Sequence, residues 1–543
     1  MLNYNFHKKL IDQGRSLGYP IVDGVCVGFS MRWIEACLTN QMETFMKYAS
    51  LIEKGSSQKK RIDGLREEVI QHHSLSREKQ MLLDFPAFYE GMLLYQLPLA
   101  YKDVLHRSIY QYNLDEITPF ASSEAIEKAH GLACTHIQSD AYNESELHTY
   151  LDQLASIIDK SGSPSGTKTT VRISGLGHTI AAAYDVNTKQ WTVMDINQWP
   201  PKSEDSTTAA KKIFDAFSSQ QQRVPIASLL IMPANQKDKK HSKFIKEKIK
   251  LWQEENCEKH IPVDIENKTL AELIKLAMYH NDTIVLKRIG AEKVTSCEGL
   301  NTTLLRDAVL QGSVDVIRLL HDEWAVNLDI TVEEGSLAHY AAHAGQASVI
   351  EVLHAAGVNL SRPDDTGNTP MHVAAYAGHV NVITALYAAG VELNPINQKS
   401  EATPLFYAAQ EGHIEVIEKI AELCPHVDKD FALFIMKFNQ HTTKNEVSVV
   451  KMGLANIKLN ILLVDNTRTP SEKINAFLND QEITHFLKQH RGFFRYAIQN
   501  KLGLTIGDTH SFTQFKKFKE KIRAEQPKDN LEQQIEHDQK KGF

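Results

Sequence analysis

The sequence predicts an α+β domain, followed by an α-solenoid of repeated helix pairs and a mainly helical C-terminal region. Three observations predict this order. Residues 1–232 pass from helical apolar periodicity into strand-like segments, which is typical of α+β domains. A unit of 33 or 34 residues then recurs, and such a period indicates a solenoid. Residues 425–524 return to helical spacing.

The N-terminal domain, residues 1–232, begins with helices and ends with strands. Apolar residues at helical spacing occupy Trp33–Ala49, Lys59–His73 and Phe85–Leu99. Strand-like segments follow, rich in β-branched and aromatic residues, at Thr169–Ser174, His178–Val186, Gln190–Ile196 and Val224–Met232. Because short turns separate the first three, we expect an antiparallel sheet.

A lysine-rich segment, residues 233–262, comes next, with most of its lysines between Lys237 and Lys250. The simplest interpretation is a solvated linker helix. The alternative is a nuclear-import signal or a patch that binds an acidic surface.

Residues 263–424 repeat one pattern. His339 and His372 are 33 positions apart, and Thr369 and Thr403 are 34 positions apart. Thr-Pro begins the first helix of a unit, since proline at the first turn loses no helical hydrogen bond. One helix pair cannot bury its own apolar face, so the units must stack.

This pattern resembles the ankyrin-repeat family over about 150 residues. Leu270–Ile289 is similar to a diverged N-terminal cap, and Thr303–Ala308 to a degenerate copy. The resemblance implies a monomeric protein-binding array in which His339 and His372 are structural. We expect exposed residues at the repeat tips to contact the partner, namely Asp364, Asp365, Asn397 and Gln398.

The C-terminal region divides at residue 525. Within residues 425–524, Phe512, Phe515 and Phe518 recur among lysines. Such a basic amphipathic helix docks on a neighbouring helix more often than on an anionic membrane, and we favour docking. Residues 525–543 are polar and predicted to be disordered.

Composition excludes several classes of protein. A net charge of -7 argues against nucleic-acid binding. Six scattered cysteines fit neither a disulfide framework nor a zinc site, and favour a reducing compartment. No segment has the length and apolar character of a membrane span or a secretory signal. We find no metal or nucleotide motif, and so expect no cofactor.

Three residues of the N-terminal domain suggest nucleophilic chemistry. Cys26 lies at the predicted start of a helix, which favours the thiolate, and Gly24 and Gly28 are expected to leave room for a substrate backbone. His178 opens one strand and Asp195 closes the next, so antiparallel pairing places them side by side. The carboxylate then holds the imidazole, which polarises the thiol. The alternative is a cysteine buried for packing, as we expect of the other five.

The segment Gly24–Trp33 resembles the nucleophile motif of papain-like cysteine proteases of the YopT/AvrPphB type. This resemblance implies a papain-like fold with Cys26 as nucleophile, His178 as general base and Asp195 as orienting group. Two departures stand out. Asp195 is followed by Ile-Asn where the family has Pro-Asn, and the oxyanion-hole side chain before the cysteine has no match, since Asp23 is a poor donor.

The combination of both domains resembles the ankyrin-bearing effectors that intracellular bacteria of the Legionella type deliver by type IV secretion. The resemblance implies a host protein as partner and a location in the host cytoplasm or nucleus. An acidic tail similar to a secretion signal contains Glu525, Glu532, Glu536 and Asp538, although a generic solvated tail has the same composition. Peptide hydrolysis, deamidation and acyl transfer all pass through a thioester, so the sequence does not separate them. A second hypothesis is a non-catalytic interaction protein with a protease-like head.

Overall fold

The structure is a computed structural model. It describes residues 4–19, 21, 24–55, 58–71, 76–98, 117–118, 121–164, 166–218, 221–236, 239–256, 265–297, 303–333, 335–444, 449–481, 517 and 519–522. The chain forms two compact units, Met1–Val358 and Asn359–Phe543. The division lies within the repeats and not at the end of the N-terminal domain.

Helices form the first layer of the N-terminal unit. They are α1 Tyr4–Leu17, α2 Cys26–Leu38, α3 Met42–Glu53, α4 Gln58–Gln71, α5 Arg77–Leu83, α6 Phe85–Gln96 and α7 Glu124–Glu127. The prediction of one helix over Trp33–Ala49 is wrong, because Asn40 adopts a positive φ of 54° and separates α2 from α3. Phe29, Trp33 and Ile34 of α2 are buried, so this helix runs through the core of the layer.

A six-stranded antiparallel sheet forms the second layer. Its strands are β1 Leu132–Tyr142, β2 Lys168–Ser174, β3 Thr179–Asp185, β4 Gln190–Met194, β5 Lys202–Glu204 and β6 Val224–Pro233. The strand order is β1-β6-β2-β3-β4-β5, so β6 lies in the middle between β1 and β2. The four predicted strands are confirmed as β2, β3, β4 and β6, whereas β1 and β5 were not predicted.

The two faces of the sheet are covered by different helices. On one face, Ala181, Ala183 and Leu229 join the core formed by α1–α6. On the other face, Val171 and Ile173 pack with the helices α8 Glu144–Lys160, α9 Ser206–Phe217 and α10 Lys240–Asn256. Since side chains alternate along a strand, Thr170, Arg172 and Ser174 lie on the α2 side of β2.

The lysine-rich segment differs from the expected solvated linker. Ile245 and Ile249 of α10 are buried in the same core as α8, while Lys246 and Lys250 of that helix are exposed. The helix is amphipathic, and the lysines form only its outer face. The linker prediction is therefore wrong for residues 240–256, and residues 257–264 lie outside the described part of the chain.

Helix pairs follow within the same unit. Three pairs are described: α11 Asn267–Tyr279 with α12 Thr283–Ile289, α14 Leu305–Gln311 with α15 Val314–Arg318, and α16 Leu337–His343 with α17 Ala347–Ala355. The short helix α13 Ala291–Thr295 lies between the first pair and the second. A short ribbon, β7 Thr331–Val332 and β8 Gly335–Ser336, precedes α16.

The first helix pair packs against the sheet. Helix α11 contacts β1 and β6. The Asp282 carboxylate caps α12 and accepts a hydrogen bond of 2.6 Å from the Ser139 backbone N–H. Arg288 forms a buried ion pair of 2.7 Å with Asp140 of β1. Since removing one partner of a buried ion pair is strongly destabilising, these contacts attach α11 and α12 to the sheet.

The second unit is helical in its described residues. Its described helices are α18 Pro370–Ala377, α19 Val380–Ala388, α20 Pro404–Glu411, α21 Ile414–Leu423, α22 Lys429–Lys444, α23 Val449–Val464 and α24 Pro470–Leu478. Helix α18 packs on α20, and α20 packs on α22. Gly378 and Gly412 end α18 and α20 in the left-handed conformation, as the turn between paired helices requires. Phe512, Phe515, Phe518 and residues 525–543 lie outside the described residues.

Candidate functional site

Cys26 is the first residue of α2. The chain turns into the helix at Gly24, which has a positive φ of 67°. Helix α2 packs on α6, and Gly28 allows this contact because a Cβ there would lie 2.0 Å from the Met92 carbonyl oxygen. The expectation that Gly28 leaves room for substrate is therefore wrong; the residue serves helix packing.

His178 follows the turn between β2 and β3. The Gly175 backbone N–H donates to the His178 carbonyl at 3.0 Å and closes this turn. A Cβ at Gly175 would lie 2.9 Å from the Phe217 ring, so glycine lets the turn approach α9. The imidazole packs beside the same ring, with centroids 5.8 Å apart. These contacts fix the direction in which His178 projects.

Asp195 lies directly after β4, the antiparallel neighbour of β3. Its Oδ1 is 2.9 Å from Nε2 of His178, and the carboxylate is 4% exposed. Cys26 lines the same cleft as this imidazole, and its interaction with His178 lowers the pKa of the thiol. Because Nε2 is engaged with Asp195, Nδ1 is the ring nitrogen left for the thiol. The structure therefore brings together the three residues that the sequence selected, in the order thiol, imidazole, carboxylate.

The pair of Cys26 and His178 titrates unusually. Burial raises the pKa of the Cys26 thiol, but the hydrogen bond to His178 and its charge outweigh burial, and the net pKa is lowered. Burial is the largest single effect and lowers the pKa of His178, but the interactions with Asp195 and Cys26 together outweigh it and raise the pKa to about 9. Both shifts favour a thiolate–imidazolium pair near neutral pH.

Two residues that the sequence did not select support this group. The Asn197 backbone N–H donates to Asp195 Oδ1 at 2.9 Å, and the Asn197 amide nitrogen is 3.5 Å from His178 Nε2. His7 of α1 lies 3.2 Å from the Asn197 amide oxygen, and burial lowers its pKa. A neutral His7 therefore holds Asn197 without placing a second positive charge beside His178.

A cleft of about 480 Å³ opens at Cys26 and His178. Gln96, at the end of α6, lines it and accepts a hydrogen bond of 3.1 Å from the Gly28 backbone N–H. The opposite wall comes from α11 and α14 and includes Leu276, Tyr279 and Gln311. Gln96 lies 70 positions after Cys26 in the chain, which explains why local sequence reasoning did not find it. Asp23, the residue considered for that place, lies outside the described residues.

The helix pairs of the second unit have a recurring cap. The Thr369 backbone N–H donates to Nδ1 of His372 at 3.1 Å, and Nε2 of His372 lies 3.1 Å from the Ala402 carbonyl of the next unit. His372 is therefore structural, as expected. A model of ankyrin repeats, in three copies, matches residues 338–431. These residues are ankyrin repeats. Ankyrin repeats bind protein partners, so this part of the chain is an interaction region.

The four expected contact residues of the ankyrin region are not equivalent. Asn397 is 1% exposed, and its amide nitrogen donates to Asn368 Oδ1 at 2.8 Å and to the Thr366 carbonyl at 3.2 Å. Its expected role as an exposed contact is wrong, because this side chain joins two successive tips. Asp364 closes its own turn by accepting from Asn368 at 2.9 Å and is only half-buried. Asp365 and Gln398 are exposed.

Within the described ranges, no three or more His, Cys, Asp or Glu side chains are grouped so as to hold a metal ion. No helix in the described part of the chain combines the length and the apolar character that crossing a bilayer requires.

Proposed function

We propose that the chain is a thiol hydrolase that acts on proteins, with a papain-like head and the triad Cys26, His178 and Asp195. The observation that carries the proposal is the His178 imidazole, which lies 2.9 Å from the Asp195 carboxylate and lines one cleft with the Cys26 thiol, whose pKa it lowers. A cysteine buried only for packing has no need of this arrangement. The lowered pKa of Cys26 and the raised pKa of His178 support the same role.

The reaction follows from these positions. The Cys26 thiolate attacks the acyl carbon of an amide, and the carbonyl oxygen becomes an oxyanion. The His178 imidazolium gives its proton to the leaving nitrogen, and a thioester to Cys26 remains. The neutral imidazole then takes a proton from water, which attacks the thioester and releases the acid and the thiol. Asp195 holds the ring in one orientation throughout.

The oxyanion needs donors near Cys26. We propose the Cys26 backbone N–H, at the start of α2 where first-turn amides have no helical acceptor, together with the side-chain amide of Gln96. The hydrogen bond from Gly28 to Oε1 of Gln96 orients that amide along the wall of the cleft. Gln96 thus replaces the donor that the sequence lacks before the cysteine.

The ankyrin repeats supply the second half of the proposal. They capture a protein partner, and the triad acts on that partner or on a neighbour of it. We further propose that the chain is a bacterial effector and that the partner is a host protein in the cytoplasm or nucleus of the host cell. The combination of a hydrolase head with ankyrin repeats supports this.

The test is labelling of the purified chain with a thiol-directed electrophile of the papain class at pH 7, with the site mapped by mass spectrometry. We expect Cys26 to react at least about tenfold faster than any other cysteine, because a lowered pKa increases the thiolate fraction. Cys26→Ala should abolish the fast reaction. Cys424→Ala is the matched control, since this variant also has five cysteines and should keep the fast reaction of Cys26.

A second candidate function, a non-catalytic interaction protein, is favoured by the ankyrin repeats alone. If the chain is such an interaction protein, it should bind its partner, and Cys26 should not be labelled faster than the other cysteines. Equal labelling of Cys26 and the other cysteines would select this function and overturn the hydrolase.

A further inference from the structure

Arg172 is a buried cation in the cleft that holds Cys26. It lies on β2, two residues before Ser174, on the side of the sheet that faces α2. Ser174 pairs with Thr179, the residue after His178, so Arg172 is about 7 Å along the strand from the catalytic turn. The side chain is 6% exposed and lines the cleft together with Cys26 and His178.

The guanidinium lacks an acceptor among the described residues. Its Nε and Nη1 atoms are buried, and no described oxygen accepts a hydrogen bond from either of them. Burial lowers the pKa of Arg172, and the Cys134 thiol is the one described group whose charge opposes this effect. A buried charge without an anionic partner is strongly unfavourable, whereas an incoming anion gains a planar donor that matches a carboxylate.

Apart from Cys26 and His178, the other described residues that line the cleft carry no charge that would neutralise Arg172 or bind an anion in its place. None of the described residues that line it carries a carboxylate. His280 lies at the same end, and burial together with the charge of Arg172 lowers its pKa to about 3, so it is neutral. Leu276 and Tyr279 of α11 form an uncharged wall. The cleft volume of about 480 Å³ lies in the range that accommodates a ligand of several side chains.

We propose that Arg172 binds an acidic side chain, Asp or Glu, of the substrate next to the bond that Cys26 attacks. The proposal rests on the proposed hydrolase function and names its substrate class. A carboxylate that reaches the guanidinium from the cleft forms charge-assisted hydrogen bonds with it and removes the cost of an unpaired charge. Because Leu276, Tyr279 and Gln311 also line the cleft, α11 and α14 contact the bound segment as well.

The test compares matched peptide electrophiles, which carry Glu or Gln at the first, second or third residue before the reactive group. The second-order rate of Cys26 labelling is measured for the wild type, Arg172→Gln and Arg172→Lys. Each rate is divided by that variant's own rate with iodoacetamide, which has no side chain to recognise. Lys168→Gln is the matched control, because Lys168 is on the same strand and face but outside the cleft.

The wild type should prefer Glu over Gln by about tenfold or more at one of the three positions. Arg172→Gln should remove this preference, Arg172→Lys should retain part of it, and Lys168→Gln should keep it whole. Equal wild-type rates for Glu and Gln at all three positions, with Cys26 still fast towards iodoacetamide, would overturn the role of Arg172 alone. A Cys26 that is slow towards iodoacetamide in the wild type would overturn the hydrolase itself. If Arg172→Gln does not fold, the wild type and Arg172→Lys are compared instead. A Glu preference in the wild type that is smaller in Arg172→Lys supports the role of Arg172, and an equal preference in both contradicts it.

Discussion

The two ends of helix α2 carry cysteines with opposite properties. Cys26, at the first residue, has a lowered pKa although burial alone raises it, because His178 donates to the thiolate and carries a positive charge. Cys37, near the last turn, has no such neighbour, and burial raises its pKa to about 12 against a weak effect of Lys168. Both thiols belong to one helix and one core. The difference shows that the partner of a thiol decides its reactivity.

The sheet lowers the pKa of Cys26 as well as the helix terminus does. The interactions that lower the pKa of Cys26 are, after His178, hydrogen bonds from the backbones of Thr179 and Val27. Thr179 belongs to the strand that carries His178, so the sheet and not only the helix prepares the thiolate. The strand register between β3 and β4 is therefore as important as the position of Cys26 on α2.

The largest expected effect comes from removing the imidazole. His178→Ala should slow the labelling of Cys26 at pH 7 by about 100-fold, because both the hydrogen bond and the positive charge are lost. Cys26 should then resemble an ordinary buried thiol. His148→Ala is the control, since His148 lies on α8 and pairs with Asp152 away from the cleft. If His178→Ala kept the wild-type labelling rate of Cys26, His178 would not be the cause of the difference between Cys26 and Cys37.

An intermediate effect is expected from the pH dependence of labelling. The thiolate forms below the ordinary thiol pKa of 9.0, so the rate should rise at lower pH than for a free thiol. The His178 imidazolium persists until the pH rises through about 9, the raised pKa of His178. Above that pH, the labelling rate of Cys26 should fall because the imidazolium is lost. Asp195→Asn removes the Asp195 share of the interactions that raise the pKa of His178, so the pH at which the rate falls should move from about 9 towards 6.5. The rate at pH 7 should fall about tenfold. Labelling rates of Cys26 measured from pH 4 to 10 test this dependence. If the fall in rate at high pH stays at the same pH in Asp195→Asn, that fall belongs to a group other than His178.

The smallest effect concerns Cys37. With a pKa of about 12, only about one part in 10⁵ of this thiol is ionised at pH 7, so it should stay unlabelled until the chain unfolds. Cys37→Ala should change the labelling rate of Cys26 by less than about twofold and lower the free energy of unfolding by about 1 kcal/mol. Urea denaturation measures the second quantity. Rapid labelling of Cys37 in the native chain would remove the contrast between the two ends of α2.

The sequence predicted the positions of Cys26, His178 and Asp195 more readily than their surroundings. Each lies at or next to a helix or strand terminus that local patterns predict. Strand β1 was missed because His136, Gln138, Ser139 and Asp140 do not resemble a buried strand, and their partners come from other parts of the chain.

Other errors arise from contacts that no local pattern encodes. Asn397 is polar and was expected to be exposed, but its amide binds the turn of the preceding repeat. Gln96 and Arg172 reach the cleft only after α6 and β2 have packed on α2. Their roles depend on distances across the fold, so a pattern of residue types in one segment does not reveal them.

The position of β6 has a consequence for how the protein is made. This strand is the last of the sheet to leave the ribosome, yet it lies between β1 and β2, and Leu132 pairs with Pro233 at its far end. Until residue 233 has emerged, β1 and β2 each present an open edge, and closing such a long loop is slow. The strands that carry His178 and Asp195 are therefore synthesised before the strand that completes their sheet.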